Sequence, residues 1–461
     1  MKEVLGEGKP GRPGGGRLPG RKRCHCCCTP ASDSTAHHAM ERNPKICAVC
    51  GKEGSEFRCT CKQVYYCGPV CQKAGWKEHK PECGAHLEKQ IKKKEGGSKE
   101  CERDDLAVAE HHYRLAQIHY EHGRLAEAEQ SLEQARRLFV VVHGEDHSRV
   151  SDANIALGAV YDSMGRYSDA LSTFNDALAI QQRSLGERHA SVASTLMNIG
   201  VVYRAQGDLK MALEYFQQAL EIETEASGRE SEIGAKLLGN IGNVYAALGE
   251  HGKALEMAEE SLGIHRRISG GEDGENVAIS LMNFANHRST QGKVEEALAK
   301  HGEALAIFRR VNGEKHPSVA NALHNMSGIY CNRGELNEAL RLSAKALKIY
   351  RHALGDEHTD VANSIQSIAI IYGLQGKHNE ALDMYQEALE IYTRTVGVDH
   401  PELARLHDNR VIARLGLGDH EGALESLREA QRIKVMHGIS SVEAGMIDSR
   451  IRSVAMTRLG R

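Results

Sequence analysis

The stretch LMNIGVVYRAQGDLKMALEYFQQAL, residues 196–220, decides the fold of most of this 461-residue chain. It reads as a helix, a turn centred on a glycine and a second helix, and the pattern returns along the chain. Eight glycines in register stand 42 residues apart, with one interval of 43: Gly123, Gly165, Gly207, Gly249, Gly292, Gly334, Gly376 and Gly418. An alanine follows each glycine after five residues, and a small residue follows after twelve. Because small side chains two turns apart let helices touch, each unit is predicted to be a helix-turn-helix pair.

Further positions of the unit repeat as well. A tyrosine stands four residues before the glycine in five units, and a Gly-x-x-His linker precedes others, with His147, His189, His316, His358 and His400. The pattern resembles the tetratricopeptide repeat, and its 42-residue period and linker resemble the repeats of kinesin light chains. This resemblance covers residues 105–440. It implies an all-α fold, a right-handed superhelical α-solenoid of eight helix-turn-helix repeats with a concave groove along the first helices.

A second pattern lies ahead of the repeats, where seven cysteines and one histidine are closely spaced: Cys47, Cys50, Cys59, Cys61, Cys67, Cys71, His79 and Cys83. Thiolate and imidazole ligands at this spacing predict two closed tetrahedral zinc sites. Zinc would supply the fold, since so short a segment cannot bury a sufficient core. A disulfide cluster is the alternative, but nothing else in the sequence is typical of a secreted protein.

This segment resembles the MYND zinc finger through Cys-Ala-Val-Cys, Tyr65-Tyr66-Cys67, Cys71-Gln72, Trp76 and His79. The resemblance implies a small, zinc-stabilised, cross-braced finger, with Cys47, Cys50, Cys67 and Cys71 on one ion and Cys59, Cys61, His79 and Cys83 on the other. Between Cys59 and Cys61 there is one residue where the family usually has two. In that family the positions of Gln72 and Trp76 border a shallow groove for peptides with a Pro-x-Leu-x-Pro core. Packing of Trp76 over the zinc site is the alternative.

Composition and order divide the rest of the chain. Residues 1–44 are rich in Gly, Pro and Arg and are predicted to be disordered, 45–84 to be the finger, 85–104 a charged linker, 105–440 the repeats and 441–461 a C-terminal capping helix. The chain has 41% hydrophobic residues but no apolar run of about 18, and its basic N-terminus lacks the apolar stretch of a signal peptide. We therefore expect an intracellular protein, cytoplasmic rather than nuclear. Translation from Met40 is a further hypothesis.

The groove contains one candidate ladder of binding residues. Asparagine stands nine residues before the turn glycine in five repeats, as Asn198, Asn240, Asn283, Asn325 and Asn409. An amide offers both a donor and an acceptor, so this ladder is predicted to bind the backbone of an extended peptide. The alternative is that the amides brace neighbouring helices.

Enzymatic function is not predicted. The zinc sites would be filled by protein ligands, which is typical of structural zinc, and no catalytic motif or phosphate loop is present. The basic segment at Lys92-Lys93-Lys94 indicates weak phosphate contact only, and no membrane partner is expected. We predict a non-enzymatic, zinc-binding adaptor or scaffold for protein partners, including proline-rich peptides at the finger and extended peptides in the groove. The alternatives are a kinesin-light-chain-like cargo adaptor that uses the repeats only, and a nuclear corepressor-type scaffold.

Overall fold

The chain divides into two compact units, Met1–Gln90 and Ile91–Arg461. The computed structural model describes Phe57–Arg58, Tyr65–Tyr66, 105–271 and 273–437. In the first unit, the two strands β1 (Phe57–Arg58) and β2 (Tyr65–Tyr66) pair antiparallel, with Phe57 opposite Tyr66. Both strands fall within the segment that is predicted to be the finger.

The described part of the second unit consists of sixteen helices joined by short turns. They are α1 Asp105–Glu121, α2 Leu125–His143, α3 Ser148–Ser163, α4 Tyr167–Leu185, α5 Ala190–Ala205, α6 Leu209–Ser227, α7 Glu232–Ala247, α8 His251–Ile268, α9 Glu275–Thr290, α10 Val294–Asn312, α11 Pro317–Asn332, α12 Leu336–Leu354, α13 Thr359–Leu374, α14 His378–Thr395, α15 Pro401–Gly416 and α16 His420–Met436. Each odd-numbered helix and the next even-numbered helix form one repeat. The predicted all-α solenoid of helix-turn-helix repeats is confirmed.

The curvature of the array follows from which helices touch. Every helix packs against its neighbours in sequence, and odd-numbered helices of successive repeats, such as α5 and α7 or α7 and α9, also contact each other. Even-numbered helices do not approach one another to the same extent in the described repeats. The odd-numbered helices therefore lie on the inner, concave side of the array.

The turn glycines end the first helix of each repeat. All eight adopt the left-handed conformation, with φ between 69° and 82°. At Gly207 the chain reverses, and the amide of Asp208 donates to the carbonyl of Tyr203 at 2.9 Å. This pattern satisfies carbonyls that the helix end would otherwise leave unpaired, and the positive φ favours glycine.

The linker histidines start the next repeat. His147, His189, His316, His358 and His400 are N-cap residues, and each imidazole accepts a hydrogen bond from the backbone N–H two residues later, at 3.1–3.3 Å. Only an unprotonated ring nitrogen can accept this bond. The imidazole therefore takes the place that Ser, Thr, Asp or Asn usually occupies at a helix start.

The core is built on two small-residue positions in each repeat. The alanines five residues after the turn glycine are fully buried, and so are the small residues at twelve, with Ser261 2% exposed and the others 0%. In the second repeat Gly158 of α3 lies under the ring of Phe174 of α4, where a Cβ would stand 2.7 Å from the ring. Helix pairs of this closeness require small residues, as predicted.

Repeats that are distant in sequence also touch. A Cβ placed on Gly123, in the turn of the first repeat, would be 3.1 Å from Cδ2 of His358, and one placed on Gly165 would overlap Cδ of Pro401. His358 is the N-cap residue of α13 in the seventh repeat, and Pro401 is the first residue of α15 in the eighth. The first two repeats therefore contact the last two, and the array closes on itself. We call this the closure contact.

Candidate functional site: the concave side of the repeats

The five predicted asparagines lie at equivalent places on odd-numbered helices of the concave side. They are Asn198 on α5, Asn240 on α7, Asn283 on α9, Asn325 on α11 and Asn409 on α15. All five are half-buried. None of their amides makes a hydrogen bond to a residue of 105–271 or 273–437. Partly exposed amides without a partner are free to bind a ligand.

Neighbouring members of this ladder lie close to one another. A Cβ placed on Gly239 of α7 would be 3.3 Å from Nδ2 of Asn283 on α9. The amide of one repeat thus reaches the first helix of the preceding repeat, beside Asn240. Glycine inside a helix lowers stability by about 1 kcal/mol relative to alanine. At Gly239 the close approach of the Asn283 amide outweighs this loss of helix propensity.

Three repeats carry another residue at the ladder position. These are Arg114 in the first repeat, Ala156 in the second and Ser367 in the seventh. The hydroxyl of Ser367 donates to the carbonyl of Asn363 in its own helix at 3.0 Å. The ladder is therefore continuous over repeats three to six and returns in the eighth.

In the first two repeats, ion pairs join the N-terminal parts of the odd-numbered helices. Nη2 of Arg149 lies 2.7 Å from Glu110, and Nη1 lies 3.0 Å from Asp152. The guanidinium also stacks over the rings of Tyr113 and Phe139. These carboxylates are paired within the fold, and the ladder position itself holds Arg114 and Ala156 in these repeats, so the asparagine ladder begins in the third repeat.

A polar group in the later repeats was missed from the sequence. The hydroxyl of Tyr392 donates to Oδ1 of Asn363 at 2.5 Å, and Nη2 of Arg405 donates to the same oxygen at 3.2 Å. In the sixth repeat Tyr350 donates to Asn321 in the same way. Burial raises the pKa of both tyrosines, so they remain donors. The signal was a tyrosine sixteen residues after the turn glycine, paired with an asparagine thirteen residues before it.

His324 stands next to the ladder residue Asn325. Burial, with a smaller effect of Arg405, lowers the pKa of His324 below its usual value. The imidazole is therefore neutral at neutral pH and offers one donor and one acceptor. The concave side of repeats six to eight thus combines uncharged polar groups with Arg405, whose guanidinium is paired with Glu402, and this set suits a polar peptide backbone.

The predicted residues of the finger lie outside the described residues: Cys47, Cys50, Cys59, Cys61, Cys67, Cys71, Gln72, Trp76, His79 and Cys83. In sequence, the described strands β1 and β2 stand on either side of Cys59 and Cys61. Within 105–271 and 273–437, no group of three or more His, Cys, Asp or Glu side chains is placed to hold a metal ion. None of the described helices has the length and apolarity needed to cross a bilayer.

Two family models match the chain. The tetratricopeptide repeat model matches in seven overlapping stretches, residues 105–183, 153–225, 191–267, 232–310, 276–351, 318–394 and 364–434. The MYND finger model matches residues 47–83. The predicted recognition of both families is confirmed, and the finger match implies zinc binding.

Solved structures share the fold at low sequence identity. A Rap protein complexed with competence and sporulation factor is 16% identical, with a TM-score of 0.52, and the match covers 80% of this chain and 98% of that one. The Rap conjugation gene regulator of plasmid pLS20, in complex with the Phr* peptide, is 14% identical, with a TM-score of 0.51 and coverage of 77% and 94%. Kinesin light chain TPR-like repeats of Podosopora anserina are 21% identical, with a TM-score of 0.36 and coverage of 45% and 97%. At these identities the likeness of the two Rap structures shows the repeat fold alone.

Proposed function

This chain belongs to the tetratricopeptide repeat family and carries a MYND finger, and we propose that it is a non-enzymatic adaptor that holds an extended peptide in the concave groove of its repeats. Both modules serve protein–protein interaction, which supports a role as adaptor or scaffold. The observation that carries the finer proposal is the ladder of half-buried, unpaired asparagine amides on α5, α7, α9 and α11.

The ladder suits an extended chain because of its period. Each of repeats three to six presents one amide, with a donor and an acceptor, on the helix that lines the groove. An extended peptide needs paired donors and acceptors along its length, and ordered side-chain amides can supply them without regard to peptide sequence. Side-chain preference would then come from the residues beside the ladder, including His324. The two Rap structures contain a peptide or factor bound to such a fold, which is consistent with this proposal.

The competing role of the amides is a brace between helices. Asn283 lies against α7, but no hydrogen bond joins its amide to that helix. Without a hydrogen bond, the amide could stabilise the contact between the two helices only through van der Waals packing. We therefore expect the amides to contribute mainly to binding.

Replacing two ladder residues tests the proposal. Peptides are first selected from a displayed random library against the full chain, and their affinities are measured by fluorescence anisotropy. The variant Asn240→Ala/Asn283→Ala should bind them at least about tenfold more weakly, because each lost hydrogen bond is worth about 1 kcal/mol and two are lost per amide. The matched control, Asn175→Ala/Asn337→Ala, removes two exposed amides on even-numbered helices and should leave the affinity unchanged. A large fall in stability with unchanged affinity would favour the brace.

The finger is proposed as the second peptide-binding module, with two zinc ions on its eight ligands and with Gln72 and Trp76 at its groove. We assign it to residues 45–84, joined by a linker over 85–104 to the repeats. Two modules on one chain raise the effective concentration of the second binding event once the first has occurred. Affinity capture with the full chain and with Cys47→Ser/Cys67→Ser separates the two modules. Partners lost with the zinc ligands bind the finger, and partners retained bind the repeats.

A further inference from the structure

The first junction of the array departs on both sides from a pattern that the later junctions share, apart from His407 in the eighth repeat. Thirteen residues after the turn glycine, six repeats carry leucine: Leu178, Leu220, Leu262, Leu305, Leu347 and Leu389. Eleven residues before it, five repeats carry a buried aliphatic residue: Leu196, Leu238, Leu281, Leu323 and Ile365. Where the first repeat meets the second, these two positions hold Arg136 and Asn154.

The two positions face each other across successive repeats. Leu178 packs against the cluster that contains Leu196, and Leu220 packs against the cluster that contains Leu238. The leucine of one repeat and the aliphatic residue of the next therefore fill a single inter-repeat space. At the first junction both positions hold polar residues, Arg136 and Asn154, so neither repeat fills this space with an aliphatic side chain.

The result is a cavity of about 520 Å³ between α2, α3 and α4, which we call the repeat 1–2 cavity. Arg136 and Asn154 line it, and Val140, Val150 and Ile180 form an apolar wall. Its volume is within the range of small-ligand sites, about 300–1,000 Å³.

Three polar side chains of this cavity, Asn154, Arg136 and Arg137, have capacity that the fold does not use. Asn154 is 3% exposed, and its Oδ1 has no hydrogen-bond partner. Arg136 and Arg137 form no ion pair with any described residue, whereas Arg183 at the rim is paired with Asp146. A buried acceptor without a partner costs about 1–3 kcal/mol, and that cost is removed when a ligand donates to it.

We propose that the repeat 1–2 cavity binds the C-terminal residue of a peptide. The carboxylate would pair with the guanidinium of Arg136, the N–H of the last residue would donate to Oδ1 of Asn154, and an aliphatic side chain would lie on the apolar wall. An acidic side chain or a fatty acid supplies the carboxylate but no adjacent N–H. Glu145 and Asp176 also line the cavity, which favours a monoanion over a doubly charged phosphate.

This site is separate from the asparagine ladder. On α3 the ladder position is Ala156, two residues from Asn154, and two residues correspond to a rotation of about 200° around a helix. The cavity therefore opens on the side of α3 that faces away from the ladder. The proposal does not depend on peptide binding in the concave groove, and each can fail without the other.

Three small probes test the required chemistry on the full chain. N-acetyl-leucine carries the carboxylate, the N–H and the aliphatic side chain, N-acetyl-leucinamide lacks the carboxylate, and 4-methylpentanoate lacks the N–H. Binding is followed by the methyl resonances of Val140, Val150 and Ile180. N-acetyl-leucine should bind at least about tenfold more tightly than either of the others, since each omits one charge-assisted or buried hydrogen bond. Equal affinities, or unchanged resonances at the highest soluble concentration of N-acetyl-leucine, would overturn the proposal.

Variants that restore the pattern of the other repeats provide the control. Arg136→Leu/Asn154→Leu should raise the unfolding temperature, because it fills the cavity and removes the unpaired amide, and it should abolish binding of N-acetyl-leucine. Arg136→Lys keeps the charge without the planar fork and should weaken binding less. A stabilised double variant that binds N-acetyl-leucine as the parent does would refute the assignment. If the double variant does not fold, the Lys variant decides, since unchanged affinity there excludes a bidentate contact.

Discussion

Replacing Gly165 by alanine tests the closure contact in solution. Gly165 has a φ of 71°, and an added Cβ would overlap Cδ of Pro401. Gly207 occupies the same place one repeat later, with a φ of 82°, and has no atom within 4 Å of an added Cβ. The two substitutions impose the same kind of backbone strain, and only Gly165→Ala adds a clash with a distant repeat.

The difference between the two variants gives the size of the effect. An alanine in the left-handed conformation costs roughly 1–2 kcal/mol, so Gly207→Ala should lower the free energy of unfolding by about that amount. Overpacking a close contact adds about 1–3 kcal/mol, so Gly165→Ala should lower it by about 2–5 kcal/mol. Urea unfolding of the full chain, followed by circular dichroism, measures both. Hydrogen exchange of the amides next to Pro401 reports whether the contact has opened.

A double-mutant cycle separates the clash from the strain. Pro401→Ala removes the atom that an alanine at residue 165 would meet, so the Gly165→Ala/Pro401→Ala variant should be more stable than the sum of the single changes predicts. Equal losses for Gly165→Ala and Gly207→Ala, together with strict additivity in the cycle, would show that the array is open in solution and that the closure contact is absent there.

Three further predictions concern the caps, the core and the finger. Burial lowers the pKa of His400 from 6.5 to about 4. The stability that its helix cap contributes is therefore fully present above pH 6.5 and is lost as the pH falls toward 4. In His400→Asn, the unfolding temperature should change less with pH over this range. Gly158→Ala should lower the free energy of unfolding by about 1–3 kcal/mol, because the added methyl group meets Phe174. Gly302→Ala has open space around its Cβ and should raise the free energy of unfolding by up to about 1 kcal/mol. The reverse order in denaturant unfolding would contradict the packing described. Elemental analysis should find two zinc ions per chain. Cys47→Ser or a chelator should reduce the zinc content and leave the helical circular dichroism of the repeats unchanged. A single zinc ion in the intact chain would contradict the second site.

The helix pairs could be predicted because their constraints are local and periodic. A glycine such as Gly207 is needed for a left-handed turn, and an alanine such as Ala212 for a close helix pair, so both return in every repeat. The asparagine ladder was found in the same way, and the structure places its residues on the concave side without partners. Whether they bind a peptide remains a prediction, as do the ligand assignments of the finger, which lie outside the described residues.

Other features could not be predicted because their partners are not local. The spacing of the linker histidines indicated a unit boundary, but not that the Nδ1 of each ring caps a helix, since an imidazole at such a place can equally donate or face solvent. The bond from Tyr392 to Asn363 joins residues in two helices, each unremarkable alone. Arg136 and Asn154 were visible as departures from the pattern, yet their significance depends on the knowledge that the two positions share one cavity.

The closure contact explains why the same glycine can meet two different requirements. At Gly207 the residue is needed for its positive φ, and an added Cβ would enter open space. At Gly123 and Gly165 the missing side chain also makes room for a linker more than 230 residues away. Sequence periodicity records only the first requirement, because the turn is the same in every repeat, while the second depends on how far the superhelix advances per turn. A substitution that is mild in the third repeat is therefore expected to be severe in the second, although the two sites are identical in sequence pattern.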